Sequence, residues 1–98
     1  MAREKLDKVT AAKALADIDG WALADDGASI GRTFIFKNFS EAFGFMTRCA
    51  LSAEKMDHHP DWSNAYKTVK VKLSTDDAGG VTALDLELAK KMNRYFGG

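Results

Sequence analysis

The stretch from Thr68 to Ser74 sets the architecture. Val69, Val71 and Leu73 alternate with Thr68, Lys70, Lys72 and Ser74, which makes a strand with one apolar and one solvated face. A sheet that is wet on one side is typical of antiparallel pairing, and its apolar side needs helices to cover it. The rest of the chain supplies them. From Leu6 to Gly20 the spacing predicts a short helix, with Asp7 as N-cap, Leu15 and Ile18 on one side and Gly20 as the stop. Trp21-Ala22-Leu23 and Ser29 to Lys37 read as two strands joined by an Asp25-Asp26-Gly27 turn, with Phe34 and Phe36 facing one way and Thr33 and Ile35 the other.

Asn38 followed by Glu41 resembles a capping box, and a helix runs from there to about Asp57. It carries two apolar lines, Phe39, Phe43, Met46, Ala50 and Ala53, and beside them Ala42, Phe45 and Cys49. Either the helix is deeply buried within one chain, or one line faces the sheet and the other faces a second subunit. In so small a domain the second arrangement is the expectation. Pro60 holds Asp57-His58-His59 at the helix end or in the loop behind it. Trp62 to Thr75 is a strand or hairpin, Asp76 to Gly80 a loop, and Thr82 with Asp85 three residues on opens a last helix, with Leu84, Leu88, Met92 and Tyr95 on its inner face.

With 98 residues the chain is one domain, residues 1–98. Fourteen basic and fourteen acidic side chains cancel, so the positive field that phosphate backbones need is missing and direct nucleic-acid binding is not expected. No apolar run has the length of a membrane span, and the N-terminus lacks a secretion-signal layout. Cys49 is the single cysteine, so a reducing cytoplasm is the expected setting. Zero net charge and a small core both favour self-association.

Chemistry concentrates in Glu54-x-x-Asp57-His58-His59-Pro60, with a second polar group at Ser74-Thr75-Asp76-Asp77. An imidazole, with an unperturbed pKa of about 6.5, both gives and takes protons near neutrality. Glu54 and His58 are four apart, so a helix that persists to that point puts them on one face, where they can hydrogen bond. The same histidines also suit a solvated helix terminus, where a cation meets the favourable end of the dipole. A metal site is poorly supported, because no His-x-x-x-His spacing occurs. Cys49 lies in an apolar stripe that raises its pKa and disfavours a nucleophilic role. Phosphate-loop patterns are absent, leaving acid–base chemistry on a small molecule.

The run Phe39-x-x-Ala42-Phe43-Gly44-Phe45-Met46-Thr47, then Ala53-Glu54-Lys55-Met56-Asp57-His58-His59-Pro60-Asp61-Trp62, then Tyr66 and Leu73-Ser74-Thr75, closely resembles the pterin-4a-carbinolamine dehydratase family. The similarity extends from the leading helix and Gly20-Trp21 to Thr82-x-x-Asp85. It implies an α+β fold of two strands, helix, two strands, helix, in which a four-stranded antiparallel sheet has its helices packed on one face, preceded here by the short N-terminal helix. It implies dehydration of 4a-hydroxytetrahydropterin, left by an aromatic amino acid hydroxylase, to quinonoid dihydropterin, with no metal or redox cofactor.

By the same resemblance Asp57, His58 and His59 line the pterin site, with Ser74, Thr75 and Asp76 contacting it partly through the backbone. His59 is the expected principal acid–base residue, His58 orients substrate and assists proton transfer, and Glu54 and Asp57 hold the imidazoles. Dimers joined through sheets and tetramers joined through the long helix are implied, which would account for the line on Ala42, Phe45 and Cys49. In animal relatives that helix surface docks a homeodomain transcription factor. One position departs from the pattern: Asp76 stands where the family usually has a third histidine. A carboxylate hydrogen bonds pterin N–H groups and serves as a base, yet donates protons poorly unless burial or a like charge such as Asp77 raises its pKa. Three outcomes stay open: the two histidines suffice, Asp76 takes the base role, or the chain binds without catalysing.

Overall fold

The computed structural model describes residues 3–97; Met1, Ala2 and Gly98, the ends of the expected 1–98 domain, lie outside the described residues. The elements are α1 (Lys8–Leu15), β1 (Ala22–Leu23), β2 (Ile30–Ile35), α2 (Phe39–Met56), β3 (Asp61–Ala65), β4 (Thr68–Leu73) and α3 (Ala83–Gly97). The strands form one antiparallel sheet in the order β1-β2-β4-β3. This is the α+β architecture expected, with a hairpin resolved where one strand or two had been open.

The first helix is shorter than its pattern. Asp7 caps it by accepting from the Thr10 amide at 2.8 Å. Past Leu15 the bonds contract to the i→i−3 type, Ala16 to Lys13, Asp17 to Ala14 and Ile18 to Leu15, so the chain unwinds through tight turns while Ile18 still reaches the core. Gly20, at φ +82°, then stops it; a Cβ here would lie 2.6 Å from Arg32 Nε. Arg32 Nη1 donates to the Asp19 carbonyl and to Asn93 Oδ1, and Trp21 Nε1 reaches the same Asn93 oxygen, tying the N-terminal turn to α3.

Phe34 is the centre of the core. It lies 4.7 Å from Phe45 and 5.9 Å from Trp21, centroid to centroid. Val69, Val71 and Leu73 are buried on the helix side of β4, while Lys70 and Lys72 stand on the open face.

The two lines of α2 are reversed from expectation. Ala42, Phe45 and Cys49, assigned to another subunit, are buried in the core together with Ala53. Phe39 and Phe43 are 50% and 55% exposed. Periodicity fixes that a helix has two apolar lines but not which one points inward. The narrow side chains of Ala42, Cys49 and Ala53 let α2 sit close over the sheet, and the bulky Phe39 and Phe43 are left outside. The capping box is half formed: Asn38 Oδ1 accepts from the Glu41 amide at 2.9 Å, and among the described residues the Glu41 carboxylate does not return the bond.

Candidate active site

The end of α2 decides how the two histidines are used. Asp57 adopts left-handed backbone geometry, φ 52° and ψ 44°. The Asp57 amide donates to the Glu54 carbonyl and the His58 amide to the Ala53 carbonyl, the paired bonds of a Schellman turn. Asp57 thus fills a position usually taken by glycine, and among the described residues its carboxylate contacts neither imidazole. The reversal turns His58 inward and leaves His59 outward.

His58 is 6% exposed and its Nε2 lies 2.6 Å from Asp85 Oδ1. Asp85, fully buried, accepts on Oδ2 from Thr75 Oγ1 and from the Thr82 amide, both at 2.9 Å. The Thr75 and Thr82 hydroxyls pair at 2.7 Å, and Thr82 Oγ1 accepts from the Leu84 amide. Thr82 and Asp85 therefore form the capping box of α3, whose acid also holds the histidine. An ionised carboxylate only accepts, so in this pair His58 donates through Nε2. No buried side-chain polar atom lacks a partner among the described residues, so Nδ1, which has no hydrogen bond there, retains solvent contact.

The helix ends at Met56, short of what a Glu54–His58 hydrogen bond requires, and that bond does not form. Glu54 Oε1 instead lies 2.8 Å from His59 Nε2, both side chains being exposed. The Schellman turn carries His58 off the helical face that the four-residue spacing assumed, and the outward ring takes its place.

His59, Pro60, Asp61, Lys72, Ser74 and Asp76 line a cavity of about 400 Å³, within the range that holds small organic ligands. A second one of about 200 Å³ shares Lys72, Ser74 and Asp76 and continues over Gly79 and Gly80. Asp76 opens a single 3₁₀ turn, Asp76–Ala78. Neighbouring Asp77 is turned toward Arg3, 3.5 Å away and exposed, a contact of little energetic weight.

Of the residues named from sequence, the structure brings His59, Ser74 and Asp76 to one cavity and places His58 and Thr75 in the buried layer beside it. The Thr75 amide donates to Gly80 and its carbonyl accepts from Ala78, Gly79 and Gly80, so its backbone holds the loop. Glu54 stands behind His59, and Asp57 shapes the turn. Sequence reasoning missed Asp85, Lys72 and Asp61. Asp85 read only as a helix start; the signal available was an acid at a capping position in a chain with histidines to anchor. Lys72 read as solvated face, because alternation does not tell which lysine stands at the end of the strand where a cavity opens.

Among the described residues no group of three or more His, Cys, Asp or Glu side chains converges as metal ligands would, and no helix is long and apolar enough to cross a membrane. Burial pushes the Cys49 thiol up to about 12.

Residues 4–95 match the sequence profile of the family described as pterin 4 alpha carbinolamine dehydratase. A protein of Mesorhizobium japonicum with the provisional name pterin-4-alpha-carbinolamine dehydratase is 71% identical over 98 residues, 100% of both chains. One from a Chelativorans species with the same provisional name is 59% identical over 95 residues, 97% of each. The crystal structure of a transcriptional coactivator/pterin dehydratase from Brucella melitensis has a TM-score of 0.93 at 49% identity, covering 96% of this chain and 100% of that one. The profile match and this likeness along almost the whole chain show it: the chain belongs to the pterin 4 alpha carbinolamine dehydratase family.

Proposed function

We propose that the chain dehydrates 4a-hydroxytetrahydropterin to quinonoid dihydropterin by histidine acid–base catalysis, as a cytoplasmic step in tetrahydropterin recycling. The observation that supports this reading is the pairing of His59 and Asp76 on one small cavity, with His58 locked to Asp85 beside it. The hydroxyl to be lost sits on a carbon bonded to N5. The N5 lone pair forms the C=N bond as the C4a–O bond breaks, the departing oxygen takes a proton and leaves as water, and a base removes a proton from the resulting cation. In this reading His59, exposed and hydrogen bonded to Glu54, gives the first proton. Asp76 serves as hydrogen-bond acceptor for pterin N–H groups and as a candidate base. His58, hydrogen bonded to Asp85 through Nε2, has Nδ1 left to orient the substrate. A positioned acid or base contributes about 10²–10⁴-fold.

The test is the dehydration rate of freshly generated 4a-hydroxytetrahydropterin, followed by ultraviolet absorbance, for the native chain, His59→Ala and Asp76→His. Acceleration that His59→Ala removes is expected. A native chain no faster than buffer, with Asp76→His restoring the rate, would instead make this a pterin-binding protein that no longer catalyses.

A second reading concerns assembly. Phe39, Phe43 and Leu51, the last 69% exposed, leave large apolar side chains uncovered on the outer side of α2. We propose that this face joins dimers, themselves formed through the sheets, into tetramers, or receives a protein partner. Light scattering after size exclusion is expected to show a smaller species for Phe43→Glu than for the native chain; an unchanged mass would refute the assignment.

A further inference from the structure

Beside the site, on the open face of the sheet, runs a groove of about 480 Å³ lined by Gly31, Thr33, Ser63, Lys70 and, in common with the histidine cavity, Asp61 and Lys72. Strand register explains its shape. In one row Gly31, Lys72 and Asp61 lie side by side across β2, β4 and β3; in the next, Thr33, Lys70 and Ser63. Gly31 has no side chain to fill its place, so the floor beside Lys72 is low. Directly opposed opposite charges usually pair across a sheet, yet among the described residues neither Lys70 nor Lys72 makes an ion pair with any carboxylate. Arg32 also borders the groove, but its guanidinium is committed to Asp19 and Asn93. Two lysines without an ion pair on alternate residues of one strand, their Cα atoms about 7 Å apart along it, flanked by two hydroxyls, make a surface suited to an anion held in extended chain.

We propose that this groove is a subsite for an anionic side chain on the pterin, a phosphate or carboxylate carried at the end of a substituent that leaves the histidine cavity between Asp61 and Lys72 and runs along Lys70. The proposal rests on the dehydration reading for the position of the pterin ring. Lys72 meets the substituent where it emerges, and Lys70 with Thr33 and Ser63 receives its charged end. A neutral hydroxylated side chain gains nothing from the two ammonium groups.

Equilibrium binding separates this proposal from the catalytic one. The probes are 7,8-dihydroneopterin, its monophosphate ester and 7,8-dihydrofolate, titrated by calorimetry against the native chain and Lys70→Gln, with dehydration rates measured in parallel. Expected is about tenfold tighter binding of an anionic probe than of the neutral one, equivalent to 1.4 kcal/mol, lost in Lys70→Gln and at high salt while the neutral probe is unaffected. Preference for the ester over dihydrofolate assigns a phosphate, the reverse a carboxylate. Equal affinity for all three probes overturns the groove and leaves dehydration standing. Tight anionic binding without dehydration sustains the groove and overturns the catalytic reading, and binding of none overturns both.

Discussion

Asp85→Ala removes the acceptor on which three donors converge. Thr75 Oγ1 keeps a partner, since the Thr82 hydroxyl is 2.7 Å away. His58 Nε2 and the Thr82 amide do not, and both are buried. Leaving a buried donor unpaired costs about 1–3 kcal/mol, so the expected loss is about 4 kcal/mol for the two together. Against a stability of about 5–15 kcal/mol for a chain of this size that is a large fraction. In melting temperature it is roughly 15–30 °C, at about 4–8 °C per kcal/mol. Asp85→Asn is a milder change, because its oxygen serves the Thr75 and Thr82 donors while its NH₂ faces His58, whose ring answers by moving its proton to Nδ1. Stability should fall by only about 1 kcal/mol, yet the reversed hydrogen bond changes what His58 presents on its other nitrogen, and dehydration should suffer more than folding does. Urea unfolding followed by circular dichroism measures both variants, with His58→Ala completing a double-mutant cycle. A loss below about 1 kcal/mol for Asp85→Ala, or a coupling to His58 under about 0.5 kcal/mol, would refute the account of the buried cluster.

Asp57→Gly should hold or raise stability, whereas Asp57→Val should lower it by about 1–2 kcal/mol, the cost of left-handed backbone for a residue with a branched Cβ; thermal melts distinguish them. Cys49 should resist alkylation in the native chain at pH 8 and react on unfolding. Its raised pKa gives the folded state a proton the unfolded state has lost, so this contribution is complete below the thiol's ordinary 9.0 and vanishes as pH rises to about 12. Phe45→Glu, which replaces a buried ring whose centroid lies 4.7 Å from that of Phe34 by a charge, should abolish folding rather than dissociate an assembly, as shown by loss of near-ultraviolet dichroism, while Phe43→Glu should keep its native spectrum.

Much of the fold was legible because local chemistry and tertiary need agree. The alternation of Val69 to Leu73 and the caps at Asp7, Asn38 and Thr82 each mark an element that the structure contains. The orientation of α2 was not legible: burial of Ala42 and Cys49 rather than Phe39 and Phe43 follows from how closely helix and sheet approach, which no periodicity encodes. In the site, the Asp-His-His run stood out, but its partners did not. A one-residue change of backbone sign at Asp57 redirects both rings, so Glu54 meets His59, and the partner of His58 comes from a segment 27 residues away. Lys72 was hidden among equivalent lysines until the cavity singled it out.

The turn at Asp57 has a consequence for how such chains tolerate length changes. Surface connections generally accept insertions and deletions, but here two identical adjacent letters are sorted into unlike environments by one residue's dihedral angles. Removing or adding a single residue between Lys55 and His58 would shift the frame so that the inward slot falls to a different side chain, leaving Asp85 without its imidazole or the cavity without its own. The connection between α2 and β3 is therefore expected to be fixed in length, and an insertion scan through it should show an intolerance absent from the Tyr66-Lys67 turn between β3 and β4, at the opposite end of the strands.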